Sequence, residues 1–596
     1  MKDVRSLLNP INDTFPAAAD EPGPAILPQI FAADAPPNVY LRDADVRLLV
    51  GFFAGKGVAA LKEEDRREQW YGDWIEYQKQ HQIYARLLSP ARYSSLGGKL
   101  DLLKLTRFLE VFGYFSPAHG YSIQVSFLGL FSILMGANEA LKREAVAVLE
   151  AGGLLAFGVS EKDHGSDLLG NAFVAREVSP GKYVASGRKY YIGNSNAAAI
   201  ISVLARKEDP LGSAKRAPFI FFSLRPGEAA GFGPARKIHT LGVRAGFVGE
   251  FEVKDHAFDA ADTSSEGRDA WDAMFGTVAL GKFLLGFGTI GICEHAYEEA
   301  SAHLRQRRLY GKPAIHMPHL RSTMAQAYAR LAAMKLYAYR TLDYVQCASS
   351  ADRRYLLFTS VQKARVSTEG VKVMALLSEC IGAKGFEADT YFEMALRDAQ
   401  LFPSVEGSTH INLGQAARFI PRYFSRPDRS VANPPSLFGG HVEPEENPYL
   451  LEARTGGINS VAFGDALAAY RGFSSAPNVR IFGRQVRSFR YFLRAARASR
   501  VPLADEQISL SLGNFIATIA YAQLVAENAR ILGIAPPLLN CIFHLLVNDL
   551  SALVLTFASS PKLKGSAKLL IRHCLAIPKT TDAQWDSIGI ETANHG

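Results

Sequence analysis

The stretch KYVASGRKYYI, Lys182 to Ile192, decides the architecture. It is dense in aromatic and β-branched residues, broken only by one glycine, and suits a pleated strand. Three similar runs follow: AAIISVLA at Ala198 to Ala205, PFIFFSL at Pro218 to Leu224, and GEFEVKD at Gly249 to Asp255. Gly, Pro and charged turns separate them, so Leu154 to about Asp259 reads as a compact β-domain. Upstream the character is helical. WYGDWIEYQKQHQIYARLL, Trp70 to Leu88, recurs at helical spacing, and NEALKREAVAVLEAGG, Asn138 to Gly153, ends on a glycine pair suited to a helix C-cap. Downstream, long helical segments run from Ala270 to Phe419 and suit a bundle. Residues 426–460, with PPSLFGG and EPEENP, read as a linker, and about 461–590 is helical again. The expected fold class is therefore α+β, mainly α. It comprises an N-terminal helical domain with an irregular Pro/Ala/Asp-rich leader (1–152), a middle β-domain (153–262), a helix bundle (263–425), and a linker with an extra C-terminal helical domain (426–596).

A chain of 596 residues is too long for one hydrophobic core. Its apolar share of 48% and charged share of 21% are ordinary for a globular protein. The net charge of +8 permits phosphate-bearing ligands without calling for nucleic acid. Five cysteines, Cys293, Cys347, Cys380, Cys541 and Cys574, form no CxxC pair, which argues against a zinc site or disulfide framework. The opening MKDVRSLLNPINDTF lacks a continuous apolar core, so no secretory signal is expected and the reading is cytoplasmic. The best membrane candidate, Tyr121 to Ala137, contains Gln124 and is short for a span; a buried helix is expected there, with no integral membrane association.

Six short motifs occur in order: AFGVSEKDHGSD (Ala156–Asp167), GRKYYIGN (Gly187–Asn194), GVRAG (Gly242–Gly246), RRLYG (Arg307–Gly311), IGAKGF (Ile381–Phe386) and VEGS (Val405–Ser408). Together, over about residues 45–420, they resemble the acyl-CoA dehydrogenase family of FAD enzymes. The resemblance implies FAD-dependent desaturation of an acyl-CoA thioester between Cα and Cβ. A base removes the α-proton while a hydride leaves Cβ for flavin N5. Glu406 falls on the family's catalytic base, with Val405 for its Tyr and Ser408 for its Thr. A carboxylate in a dry pocket suits that task, because desolvation raises its basicity. The thioester oxygen gathers negative charge that preorganised donors stabilise, and Gly407 allows the substrate close approach.

The same resemblance implies FAD contacts at Phe157, Val159 and Ser160 on the flavin-facing strand, and at Tyr191, where the family often has Trp. Gly193 stands where a Thr hydroxyl usually bonds the cofactor; losing that bond costs about 1 kcal/mol. Arg307 aligns with an arginine reaching the FAD pyrophosphate of a neighbouring subunit, a role that fits its guanidinium fork. Glu379, Gly382 and Ala383 fall on the segment completing that site. His319, Ser408 and Asn412 stand at further cofactor positions, and Ser166, Arg244, Lys282 and Gly407 on the substrate side. For Arg244 and Lys282 an ordinary salt bridge is an equal reading. The implied partners are acyl-CoA or an acyl carrier protein, an electron-transfer flavoprotein as acceptor, and further copies of the chain in a homodimer or homotetramer.

The extension holds a motif of its own. Arg480, Arg484, Arg487, Arg490, Arg494, Arg497 and Arg500 recur every three or four residues with no acid between them. Docking onto an acidic face of the same chain or its partner is the first reading, an acidic carrier or the CoA phosphates the sharper ones; nucleic acid is not expected, since it would need a broader basic surface than +8 gives. Two rival functions stay open: a carrier-protein dehydrogenase or flavin-dependent oxidase or monooxygenase on the same fold, and a non-catalytic flavoprotein interaction module.

Overall fold

The computed structural model describes residues 43–208, 218–425, 427–428, 430–437, 445–452, 460–496 and 505–594. The leader read at residues 1–40 lies outside them, as do Arg497 and Arg500. Six helices come first: α1 (Ala44–Arg67), α2 (Gly72–Gln80), α3 (Ile83–Leu88), α4 (Leu102–Phe115), α5 (Pro117–Leu134) and α6 (Glu139–Glu150). Short polar residues start several of them. Asp101 accepts from Lys104 N at 2.9 Å at the head of α4, and Asn138 accepts from Ala140 N at 3.1 Å at the head of α6. The sequence's membrane candidate lies largely in α5, which is buried along almost its whole length. Among the described residues, the helices long and apolar enough to cross a membrane are three others described below, not α5.

The chain then turns to strands: β1 (Leu154–Gly158), β2 (Val174–Ser179), β3 (Lys182–Gly193), β4 (Ala198–Lys207), β5 (Phe219–Leu224), β6 (Arg236–Lys237), β7 (Val248–Asp259) and β8 (Thr263–Glu266). They form one mixed sheet in the order β6-β7-β3-β2-β4-β5-β8, with β1 parallel to β4. β1 pairs with the start of β4 (Leu154 with Ala198) and β2 with its end (Val174 with Arg206). The segment after β1 therefore leaves the sheet between them. There Tyr190 N donates to Ser160 O at 3.0 Å, and buried Lys189 holds Val159 O and Glu161.

A 40-residue helix, α7 (Gly267–Gln306), leads into the bundle. A small hairpin, β9 (Arg308–Leu309) with β10 (Lys312–Pro313), precedes α8 (Pro318–Gln346), α9 (Tyr355–Val361), a π-helical turn (Gln362–Val366), α10 (Ser367–Ile381), α11 (Tyr391–Ala399), α12 (Thr409–Ala417) and α13 (Ile420–Ser425). The extension adds α14 (Pro477–Ala496), α15 (Glu506–Ile531), α16 (Pro536–Ala558), α17 (Gly565–Arg572) and α18 (Asp582–Asn594). One apolar core runs continuously from α1 through the bundle into α16. The architecture is the α+β, mainly α class read from the sequence, in the same order of helical, β, helical and helical parts.

The described part of the linker is strapped down rather than loose. Buried Arg340 on α8 donates to the carbonyls of Pro434 and Pro435 and pairs with Asp343 at 2.7 Å and Glu527 at 3.1 Å. Asp549 on α16 pairs with Arg330 on α8 at 3.3 Å and with Arg365 at 3.1 Å. Among the described residues, α7, α15 and α16 are the three helices long and apolar enough to span a bilayer; 78%, 72% and 56% of their most apolar stretches are buried in the molecule.

Candidate active site

The loop between α11 and α12 presents Glu406. Its shape comes from local bonds: Val405 N donates to Leu401 O, Thr409 N to Pro403 O, and the Asn412 amide to Gly407 O (2.8 Å) and Ser408 O (3.0 Å). Glu406 (φ 51°) and Gly407 (φ 85°) both take left-handed backbone, a conformation that strains the non-glycine member. Tyr191 (φ 63°) and Val243 (φ 48°) share it, and all four line one cavity of about 1210 Å³.

The Glu406 Oε1 accepts from Gln124 Nε2 on α5 at 2.9 Å, while Oε2 is enclosed and unpartnered. Burial pushes the carboxyl up to about 7, against the Gln124 hydrogen bond and the charges of Lys363 and Lys282. A side chain at Gly281 on α7 would place its Cβ 2.2 Å from Oε2, so α7 carries no side chain where the carboxylate lies. Lys282, the next residue, donates to Gln415 Oε1 at 2.8 Å, and burial brings its ammonium down to about 8. Lys363, in the π-helical turn, donates to Phe402 O, and burial brings it to about 7. The sequence reading missed Lys363, Gln124 and Gln415. No motif marks them; only the packing of α5, α7 and α12 brings them together.

Across the cavity lie Phe157, Val159 and Ser160 at the end of β1 and Tyr191 and Gly193 on β3. The Ser160 hydroxyl donates to Tyr190 O at 2.7 Å. Among the described residues the Val159, Ser160 and Glu406 N–H groups have no acceptor. Gly193 leaves room for another side chain: a Cβ there would come within 2.7 Å of the Tyr121 ring. Burial raises the Tyr121 phenol, and the charge of Glu406 adds to that rise. It therefore stands between Gly193 and the carboxylate, where the sequence reading placed only a missing hydroxyl.

Gly165, Ser166, Asp167, Thr240 and Val243 also line the cavity. Asp398 pins that last loop by accepting from Val243 N at 2.6 Å. Leu109, Phe112, Leu128, Leu284 and Phe402 give the interior an apolar wall. Glu506, Ser509 and Leu510, at the head of α15, complete it from the extension.

The cavity thus gathers Glu406, Gly407, Lys282, Ser166, Phe157, Val159, Ser160, Tyr191 and Gly193. Other expected positions lie off it. Arg244 is half-buried and donates to Leu241 O at 3.2 Å within its own loop. Asn412 is buried with its amide spent on the Glu406 loop, and Ser408 caps α12. None of these three is among the residues lining the cavity. Arg307, His319, Glu379, Gly382 and Ala383 are exposed and none lines the cavity. Arg307 and Lys384 lie close enough that both lower His303 after burial does, so a cationic cluster forms where α7 and α10 end.

Residues 156–256 match the acyl-CoA dehydrogenase middle domain, and residues 269–420 match the acyl-CoA dehydrogenase C-terminal domain. Among curated proteins, the chain is 24% identical over 327 residues to a cyclohex-1-ene-1-carbonyl-CoA dehydrogenase of Syntrophus aciditrophicus, covering 54% of this chain and 76% of that one. It is 24% identical over 373 residues to the mitochondrial isovaleryl-CoA dehydrogenase of Pongo abelii, covering 61% and 85%. An acyl-CoA dehydrogenase from Bacillus anthracis, solved with FAD, shares the fold at a TM-score of 0.65 and 18% identity. That likeness covers 90% of this chain and 94% of the other.

Proposed function

Since the chain belongs to the acyl-CoA dehydrogenase family, we propose that it desaturates an acyl-CoA thioester, with Glu406 as the α-proton base and FAD as cofactor. One observation carries this reading. A buried carboxylate with a free oxygen faces an apolar cavity whose opposite wall offers unpaired backbone N–H groups. Both curated relatives are named for CoA thioesters.

The residues present fit a flavin. The free N–H groups of Val159 and Ser160 suit the polar edge of an isoalloxazine ring, Phe157 and Tyr191 offer aromatic faces, and the Tyr121 phenol fills the place of the hydroxyl that Gly193 lacks. FAD, when bound, supplies the two-electron acceptor for the hydride from Cβ. Glu406 takes the Cα proton on Oε2, the oxygen nearest Gly281. The Glu406 N–H is free to donate to the thioester carbonyl oxygen as charge gathers there. Gln124 holds Oε1, so the carboxylate cannot rotate away from the substrate. Lys282 and Lys363 oppose the effect of burial and keep a fraction of Glu406 ionised near neutral pH. The apolar wall excludes water from the Cα–Cβ bond and receives the acyl chain.

Arg307, His319, Glu379, Gly382 and Ala383 are assigned to the FAD of a second subunit, because they lie off this chain's cavity. That assignment makes the working unit a homodimer or homotetramer. An electron-transfer flavoprotein is the proposed acceptor and the cytoplasm the proposed location. The test is an anaerobic titration of the purified holoprotein with short-, medium- and long-chain acyl-CoAs. Bleaching of the flavin band near ~450 nm is expected, and Glu406→Gln should abolish it while flavin stays bound. If every CoA ester leaves the flavin oxidised, the substrate is a carrier-bound thioester or the chemistry involves oxygen. If no flavin binds, the reading fails.

A further inference from the structure

Lysine is among the residues least often buried in a protein core, yet Lys189 on β3 is fully buried. Its ammonium donates to Val159 O at 3.0 Å and to Glu161 Oε1 at 2.9 Å, and lies 5.0 Å from the centre of the Phe173 ring. Burial lowers it to about 8, with the Glu161 charge opposing that fall, so it stays a cation at neutral pH. The fold does not need a cation there to satisfy its neighbours. The buried Asn171 amide also donates to Val159 O, at 3.3 Å. Glu161 accepts from Ala172 N at 2.7 Å and from Phe173 N at 3.0 Å. A buried ion pair is in general a poor source of net stability. Lys189 therefore calls for another account.

The cation touches one peptide unit that has two working ends. The Val159–Ser160 peptide is trans, so its C=O and its N–H point opposite ways. Lys189 takes the carbonyl. The Ser160 N–H leaves on the other side, without an acceptor among the described residues, and Ser160 lines the cavity. The next unit is fixed as well: Tyr190 N donates to Ser160 O at 3.0 Å, and the Ser160 hydroxyl to Tyr190 O at 2.7 Å. A cation on the carbonyl draws electron density through the conjugated amide and makes its N–H a stronger donor. Hydrogen bonds in series polarise one another in this way, by roughly 10–30% per bond.

We infer that Lys189 is a positioning residue for the redox step. Through the Val159–Ser160 peptide it fixes and strengthens the N–H offered to the flavin ring, and so favours the reduced ring. The inference rests on the FAD reading above. A ring that takes up a hydride gains electron density, and hydrogen bonds and charge at its polar edge tune how readily it does so. Lys189 is not among the residues lining the cavity, so it acts only through the peptide it holds.

The test is the midpoint reduction potential of the bound flavin, measured without substrate by spectroelectrochemical titration of the holoprotein. Lys189→Met alone strands the Glu161 carboxylate, so Glu161→Gln/Lys189→Met, which removes both charges, is measured beside it. Both are expected to lower the potential by about 30 mV or more, a tenfold shift in a two-electron equilibrium. Lys189→Arg keeps the cation and should retain most of the wild-type value. An unchanged potential in the double variant, with flavin bound and a wild-type melting temperature, overturns the inference. So does weaker flavin binding with the potential unmoved, the pattern of a merely structural pair. A wild-type protein that holds no flavin overturns the FAD reading and this inference with it, whereas flavin of equal potential in every variant overturns this inference alone.

Discussion

Glu406 is placed by contacts more than by its neighbours in sequence. Gly281, Gln124, Lys282 and Lys363 come from three elements and together set its position and charge. Substituting Gly281 by Ala forces Oε2 from its place, since the new Cβ would lie 2.2 Å away; a drop in kcat of about a hundredfold or more, with flavin retained, is expected in stopped-flow reduction. The pH dependence has a definite sign. In its proposed role as base Glu406 works when deprotonated, and burial holds it at about 7, so the rate of flavin reduction should rise with pH and reach half its plateau near there. Lys282→Met removes a positive charge that favours the carboxylate, so that midpoint should move up, not down. A fall would show that Lys282 does not face Glu406 as described.

At the scale of elements, the reading of α5 as buried and of β3 as a strand follows from composition and alternation, which act locally. The roles of Tyr121 and Asn412 do not. Tyr121 sits on α5 in a run that composition describes only as apolar, and its relation to Gly193 exists once α5 crosses β3. Likewise Asn412 falls on an expected cofactor position, yet its amide is consumed by the carbonyls of Gly407 and Ser408 one turn back. Asn412→Ala should therefore loosen the Glu406 loop, costing about 1–3 kcal/mol of stability in urea melts and lowering kcat, with flavin affinity little changed. Tyr121→Phe, by contrast, should leave stability nearly unaltered while shifting the reduction potential and absorption maximum of the bound flavin. No spectral change would separate the phenol from the cofactor.

On the scale of the whole molecule, the order of helical, β, helical and helical parts was legible because hydrophobic period changes sharply at Leu154 and again near Ala270. How the extension meets the bundle was not legible. Pro- and Gly-rich composition described residues 426–460 as a linker, whereas Arg340 fixes part of it by bonding the Pro434 and Pro435 carbonyls. Asp549 likewise gains meaning only beside Arg330 and Arg365. Asp549→Ala removes one of the two carboxylates shared by the largely buried Arg330 and Arg365, which keep Glu369 at 2.6 and 2.9 Å, and is expected to cost about 1–3 kcal/mol in chemical denaturation. A single unfolding transition should persist, since the core is continuous across the junction.

Leu510 and Ser509 give the extension a hereditary consequence. They stand in the wall of the active-site cavity, yet belong to a helix outside the two matched family domains. Residues free to vary with the tail thus reshape what the base can reach, and substrate range can drift while the catalytic loop stays letter for letter the same. On the proposed chemistry, two chains that agree from Ala156 to Ile420 and differ only beyond it are expected to differ in the acyl groups they accept.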